Sequence, residues 1–246
     1  MAGGRRRGRG AGRRRVGAGR WWRRSLLAVA AVAMLFAAQQ AWTWPDVTEL
    51  ARSRPATTAF ISRARDRGVG VVWRWAPYEE ISPHLKRAVL VAEDINFFGH
   101  AGFETTEIRT ALVKAAQERE APRGASTITQ QLAKNLWLSS AYSPLRKAKE
   151  ALLTWQLERE LGKRRILELY LGVAQFGPRV FGAEAAAQVY FGKPAAELTE
   201  REAAELAAGL PRPSRWNPRS DSQAYRERVE EIERRMERAD WLWSVI

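Results

Sequence analysis

Twenty consecutive residues between Arg24 and Pro45 carry no charge, SLLAVAAVAMLFAAQQAWTW, and nothing else in the chain constrains its architecture as strongly. A helix of that length spans the ~30 Å hydrocarbon core of a bilayer. Trp21 and Trp22 precede the stretch and Trp42 and Trp44 close it, as in an interfacial aromatic belt. The 24 residues before it hold ten arginines and no acid, which account for ten of the fourteen net positive charges. By the positive-inside rule this asymmetry predicts a cytoplasmic N-terminus and an exported remainder. The expected organisation is therefore an Arg-rich tail (1–24), a transmembrane helix (25–44), a juxtamembrane connector (45–65) and an extracytoplasmic domain (66–246). One alternative is a cleaved signal peptide, because the most apolar core, Leu26 to Ala38, is short and Ala-rich. The other is a nucleic-acid-binding arm. Export of the domain leaves such an arm without a partner, so no nucleic acid is expected.

Beyond the tail the chain is only mildly basic, and it has no cysteine, which excludes disulfides and thiolate chemistry. The fold class expected is mainly α. Val69 to Trp75 alternates as a short strand would. Ser82-Pro83 opens a helix to about Asp94, and Thr105 to Arg119 reads as another. A further helix starts near Ser126 and runs to about Leu138. Ser143-Pro144 begins a long helix to about Leu161, followed by one over Lys163–Leu171. A glycine-rich loop (172–182) leads to a short helix, AEAAAQVYF. Thr199 and Glu202 form a capping box for the next. In the last helix Tyr225, Val229, Ile232, Met236 and Ala239 make one buried stripe.

Three stretches carry candidate chemistry. In the first, Leu85, Val89 and Glu93 share one helical face, so Glu93 extends an apolar stripe. Desolvation and the nearby helix C-terminus both raise the pKa of a carboxylate there, which strengthens it as a base. The alternative is a carboxylate capping a helix or pairing with an arginine. In the second, RGASTITQQLAKN (123–135), Ile128, Leu132 and Leu136 form the apolar face. Thr127, Gln130, Gln131 and Lys134 fall on a polar face opposite, suited to a sugar plus a phosphate, or simply solvated. In the third, Arg146, Lys147 and Glu150 lie within one turn. They form either an ordinary ion pair worth ~0.3 kcal/mol or a cationic pair for an anionic leaving group beside a second carboxylate. His84 and His100 have no metal-ligand spacing. The chain lacks Ser-x-x-Lys and Lys-Thr-Gly, so an acyl-serine penicillin-binding domain is absent, and it has no phosphate-binding glycine loop.

EDINFFGHAG (93–102), GASTITQQLAKN (124–135), RKAKE (146–150) and KRRILELYL (163–171) together resemble, in order and spacing, the signature motifs of the family 51 glycosyltransferases, the peptidoglycan polymerases. The connector RPATTAFISRAR resembles the one that follows the anchor in the monofunctional biosynthetic transglycosylases of that family. The resemblance covers roughly residues 45–218. It implies a lysozyme-like α-helical lobe with a small membrane-proximal lobe, preceded by one transmembrane helix. The implied activity is polymerisation of lipid II into glycan strands at the bacterial cytoplasmic membrane, alongside other cell-wall synthesis proteins. By motif position Glu93 is the general base and Glu150 the second catalytic glutamate. Asp94, His100, Ser126, Thr127, Thr129, Gln130, Gln131, Lys134, Asn135, Arg146 and Lys147 are the implied substrate-binding residues. A divalent cation, Mg²⁺ or Mn²⁺, would accompany the pyrophosphate; no metal ligand is assigned. Two positions depart from the pattern: Tyr142 stands where many members have arginine, and Gly172 where asparagine usually follows Tyr-Leu. A lysozyme-like glycan-cleaving enzyme and a non-catalytic membrane-tethered scaffold remain the alternatives.

Overall fold

The computed structural model describes residues 18–104, 126–139, 141 and 143–246. The expected helix over 105–119 and the departure at Tyr142 lie outside the described residues. The described residues fall into two units, one ending at Pro45 and the other running from Asp46 to Ile246. The first contains a single helix, α1 (Ala18–Trp42), which starts before the uncharged stretch. Among the described residues no helix is long and apolar enough to cross a membrane.

The second unit is mainly helical. Its helices are α2 (Ala59–Asp66), α3 (Pro83–Glu93), α4 (Ile128–Trp137), α5 (Pro144–Glu160), α6 (Lys163–Val173), α7 (Ala183–Phe191), α8 (Glu200–Gly209) and α9 (Gln223–Glu237). Their starts follow local rules. Ser82 Oγ caps α3 and Ser143 Oγ caps α5, each with proline in the first turn. Thr127 with Gln130 and Thr199 with Glu202 form reciprocal capping boxes on α4 and α8.

Two strands pair in parallel, β1 (Val72–Trp73) and β2 (Val180–Phe181), with Val72 opposite Val180 and Trp73 opposite Phe181. The strand expected over Val69–Trp75 is cut to two residues because its partner emerges from the glycine-rich loop for only that length. That loop is correspondingly shorter than expected: α6 continues to Val173, and β2 occupies its far end.

Packing gathers the helices into two groups. α3, α8 and α9 pack on one another, and α4 packs on both α5 and α6. Ala203, Ala204, Ala207 and Ala208 on α8 are fully buried against an α3 whose Leu85, Ala88, Val89 and Leu90 are likewise inaccessible. Small residues on one partner let the axes approach closely, and each large side chain so buried contributes ~1.5–3 kcal/mol. The stripe Tyr225, Val229, Ile232, Met236 and Ala239 is buried as expected. Arg87, buried on α3, donates to the Met236 carbonyl and lies 3.2 Å from Asp240, pinning the C-terminal end of α9 onto α3. The functional residues collect where the two groups meet.

Candidate active site

Glu93 is the last residue of α3, and its neighbour decides where it points. The buried Asp94 caps α3 and reaches across to α4. Its Oδ2 accepts from the Ile128 backbone N–H at 3.0 Å, and its Oδ1 faces His100 Nε2 at 2.9 Å. An anion at the N-terminus of α4 also meets the positive end of that helix dipole. His100 Nδ1 accepts from the Gly102 N–H at 3.0 Å, so the ring proton sits on Nε2 and is donated to Asp94. Asp94 and His100, two of the expected substrate-binding residues, form the clamp that joins the end of α3 to the start of α4.

With α3 and α4 so fixed, Glu93 faces Gln131. Gln131 Nε2 donates to Glu93 Oε2 at 2.7 Å, and Arg228 Nη2 on α9 stands 3.6 Å from Glu93 Oε1. The Glu93 side chain is 12% exposed. Burial raises its pKa above the usual carboxylate range; the Gln131 bond and the Arg228 and Lys134 charges oppose that rise, and Asp94 adds to it. The expected desolvation and raised pKa of the Glu93 carboxyl are present, and so is the pairing with arginine that was the alternative.

The polar face predicted on α4 divides in two. Thr127 and Gln130 are buried, as is Thr129. Thr127 Oγ donates to the Gly102 carbonyl at 2.7 Å, and Gln130 Oε1 accepts from the Thr127 N–H at 3.0 Å. Thr129 Oγ donates to Glu158 Oε1. These three side chains hold α4 in place and do not face the cavity. Ser126 is exposed at the helix start, where its carbonyl accepts a long 3.4 Å bond from Gln131. Gln131, Lys134 and Asn135 do line a cavity of about 280 Å³, together with Phe60, Tyr170 and Gln175. Helical position alone placed all four residues on one face. Whether each is wet depends on what covers the N-terminal turn, and the Gly102 segment covers it.

Lys134 feels the charge of both acidic centres. Burial lowers its pKa below that of an ordinary lysine; Glu150 and Glu93 oppose this, and Arg146 and Lys147 add to it. Glu150 is buried on α5, accepting from Arg146 Nη1 at 2.6 Å and from Lys147 Nζ. Arg146 Nε is buried without a hydrogen-bond partner among the described residues. The third motif is thus a two-cation clamp on one buried carboxylate, near the lysine of the second motif. Among the described residues no group of three His, Cys, Asp or Glu side chains could hold a metal ion.

Two residues of the site were not identified from sequence. Tyr170, fully enclosed on α6, donates from its hydroxyl to Gln131 Oε1 at 2.9 Å. Apolar periodicity marks it only as core, and its lone polar atom leaves no local signature. Arg228 lies one turn beyond Tyr225, beside the buried stripe of α9, among several arginines of similar spacing. Neither local pattern nor composition separates it from its neighbours.

The chain matches the transglycosylase family model over residues 65–237. It is 42% identical over 214 residues to the biosynthetic peptidoglycan transglycosylase of Laribacter hongkongensis, covering 85% of this chain and 94% of that protein. With the protein of the same name from Alcanivorax borkumensis it shares 44% identity over 216 residues, 87% of this chain and 88% of the relative. The Ralstonia nicotianae protein of that name is 48% identical over 166 residues, 65% of this chain and 71% of its own length. The matched region contains Glu93, Gln131, Lys134, Arg146, Lys147, Glu150, Tyr170 and Arg228, and this chain belongs to the transglycosylase family.

Proposed function

We propose that this protein is a peptidoglycan glycosyltransferase that polymerises lipid II into glycan strands with release of undecaprenyl pyrophosphate. The observation that carries the reading is the desolvated Glu93, held by Gln131, with Lys134 within electrostatic reach of both Glu93 and the Arg146–Lys147–Glu150 clamp. Glu93 accepts the proton from the C4 hydroxyl of the acceptor sugar as that oxygen attacks the anomeric carbon of the donor. The new C–O bond forms as the bond to the pyrophosphate breaks, inverting the anomeric centre. Negative charge develops on the departing oxygens, and preorganised cations stabilise it more than they stabilise the ground state. Lys134, Arg146 and Lys147 supply that charge, and the partnerless Arg146 Nε is a donor that a phosphate oxygen would satisfy. Glu150 holds the two α5 cations in place. No acid is required on the leaving side, because pyrophosphate departs as an anion.

The catalytic unit reads as a lysozyme-like lobe with a smaller membrane-proximal part. The uncharged Ser25–Trp44 stretch reads as a single-pass anchor in the cytoplasmic membrane, with the N-terminus inside and the enzyme outside. Confinement to the bilayer surface raises the effective concentration of lipid-linked substrates. A divalent cation, Mg²⁺ or Mn²⁺, would travel with the substrate pyrophosphate: Glu150 is already engaged by two cations, and the residues around the cavity do not make a resident metal site.

Incubation of the full chain with lipid II, detergent and Mg²⁺ should give a ladder of glycan chains on a gel, and Glu93→Gln should give none. A wild-type protein without polymer, or an undiminished Glu93→Gln variant, would refute the reading. A carboxyl group whose proton is held by burial could also act as an acid on a glycosidic bond. Release of soluble muropeptides from purified sacculi would point to that cleavage reaction instead.

A further inference from the structure

The base and the buried Tyr170 hydroxyl are joined by a single amide. Tyr170 donates to Gln131 Oε1 at 2.9 Å, while Gln131 Nε2 donates to Glu93 Oε2 at 2.7 Å and to the Ser126 carbonyl at 3.4 Å. Both N–H groups and the oxygen of the Gln131 amide are thus engaged. We propose that Tyr170 is a positioning residue for the reaction: by donating to Gln131 Oε1 it holds that amide with its N–H toward Glu93, which aims the carboxylate and favours its deprotonated state. This rests on the reading of Glu93 as the general base.

A glutamine amide turned by 180° would present its oxygen to Glu93, an arrangement tolerated only if the carboxyl carries a proton. The same turn would present N–H to the phenol and leave the Tyr170 proton, fully enclosed, without its acceptor. An unmade bond at a buried donor is costly, so the tyrosine selects one orientation of the amide. Burial, reinforced by the negative charges of Glu93 and Asp94, holds the Tyr170 pKa well above the ordinary phenol value, so the hydroxyl remains a donor at any working pH. The other charges facing Glu93 are Arg228 from α9 and Lys134 from α4, which favour its ionised form, and Asp94 beside it, which does not. Gln131 is the neutral contact among these, and so the one whose effect depends on which way it is turned.

The test is the pH dependence of lipid II polymerisation by the full chain in detergent. Tyr170→Phe removes one oxygen and keeps the ring. The limb of its kcat profile on the acid side should move up by roughly one pH unit, with about tenfold loss below the wild-type midpoint, recovery above it and little change in KM. Gln131→Leu should shift the limb in the same direction, and the double variant should shift it no further than Gln131→Leu alone. A Tyr170→Phe profile lowered uniformly with its midpoint unmoved would overturn the relay, as would additive shifts in the double variant. If Tyr170→Phe does not fold, Gln131→Leu carries the test alone, and an unmoved midpoint again overturns it. Failure of the underlying reading looks different. An active Glu93→Gln variant, or a wild-type profile with no acid limb, removes Glu93 as the base and the relay with it.

Discussion

Trp75 fills the space that a side chain at position 172 would need. A β-carbon on Gly172 would lie 2.2 Å from Trp75 Cζ3 and 2.5 Å from its Cε3. The Gly172 carbonyl also accepts from Trp73 Nε1 at 2.8 Å, so the end of α6 lies flat against the β1 segment. The departure from the family's usual asparagine is therefore matched by an aromatic residue almost a hundred positions earlier.

That match makes a reciprocal prediction. Gly172→Asn should destabilise the protein by about 2–3 kcal/mol, since the new side chain would overlap the Trp75 ring and force it or α6 to move. Combining it with Trp75→Val, which opens the space, should recover part of the loss. Chemical denaturation of the two singles and the double would show it as a favourable coupling energy.

Glu93→Gln should make the folded protein more stable at neutral pH while abolishing polymerisation. The folded-state pKa of Glu93 is raised, so this group's favourable contribution is fully present below the unfolded glutamate value, about 4.3. It is lost as pH rises through the folded value. A neutral amide escapes that loss. Melting curves should separate the variant upward at pH 7–8 and superimpose it on wild type below about pH 4.

Arg228→Ala should move the acid limb of the polymerisation profile upward. It removes a positive charge 3.6 Å from Glu93 Oε1 that favours the ionised base. Arg228→Lys should hold the limb closer to wild type. Both chains should unfold cooperatively, because the buried stripe of α9 passes through Val229 and Ile232 and does not depend on position 228.

Glu150→Ala should cost about 3–5 kcal/mol and eliminate activity. It leaves Arg146 buried without its counter-charge, and uncompensated buried charge is strongly destabilising. Most of the loss comes from Arg146, because Lys147 is 44% exposed and its pair is screened by solvent. Urea denaturation gives the stability change, and the lipid II gel gives the activity.

Helix positions were legible without coordinates because they are set by neighbours in sequence. Ser-Pro starts, reciprocal capping boxes and apolar stripes specify α3, α4, α5, α8 and α9 through contacts within a few residues. The ordered motifs likewise pointed to Glu93, Lys134, Arg146, Lys147 and Glu150. What local order could not decide was which polar side chains have partners from elsewhere. Thr127, Thr129 and Gln130 share a polar segment with Gln131, yet the Gly102 turn, the capping box and Glu158 absorb the first three. Gln131 is bound to Glu93 and Tyr170, which lie 38 and 39 residues away along the chain. Only the meeting of α3, α4, α6 and α9 creates that neighbourhood. The chain's own pattern determines which side of each helix avoids water; the orientation of a hydrogen bond and the desolvation of a charge belong to the assembled fold.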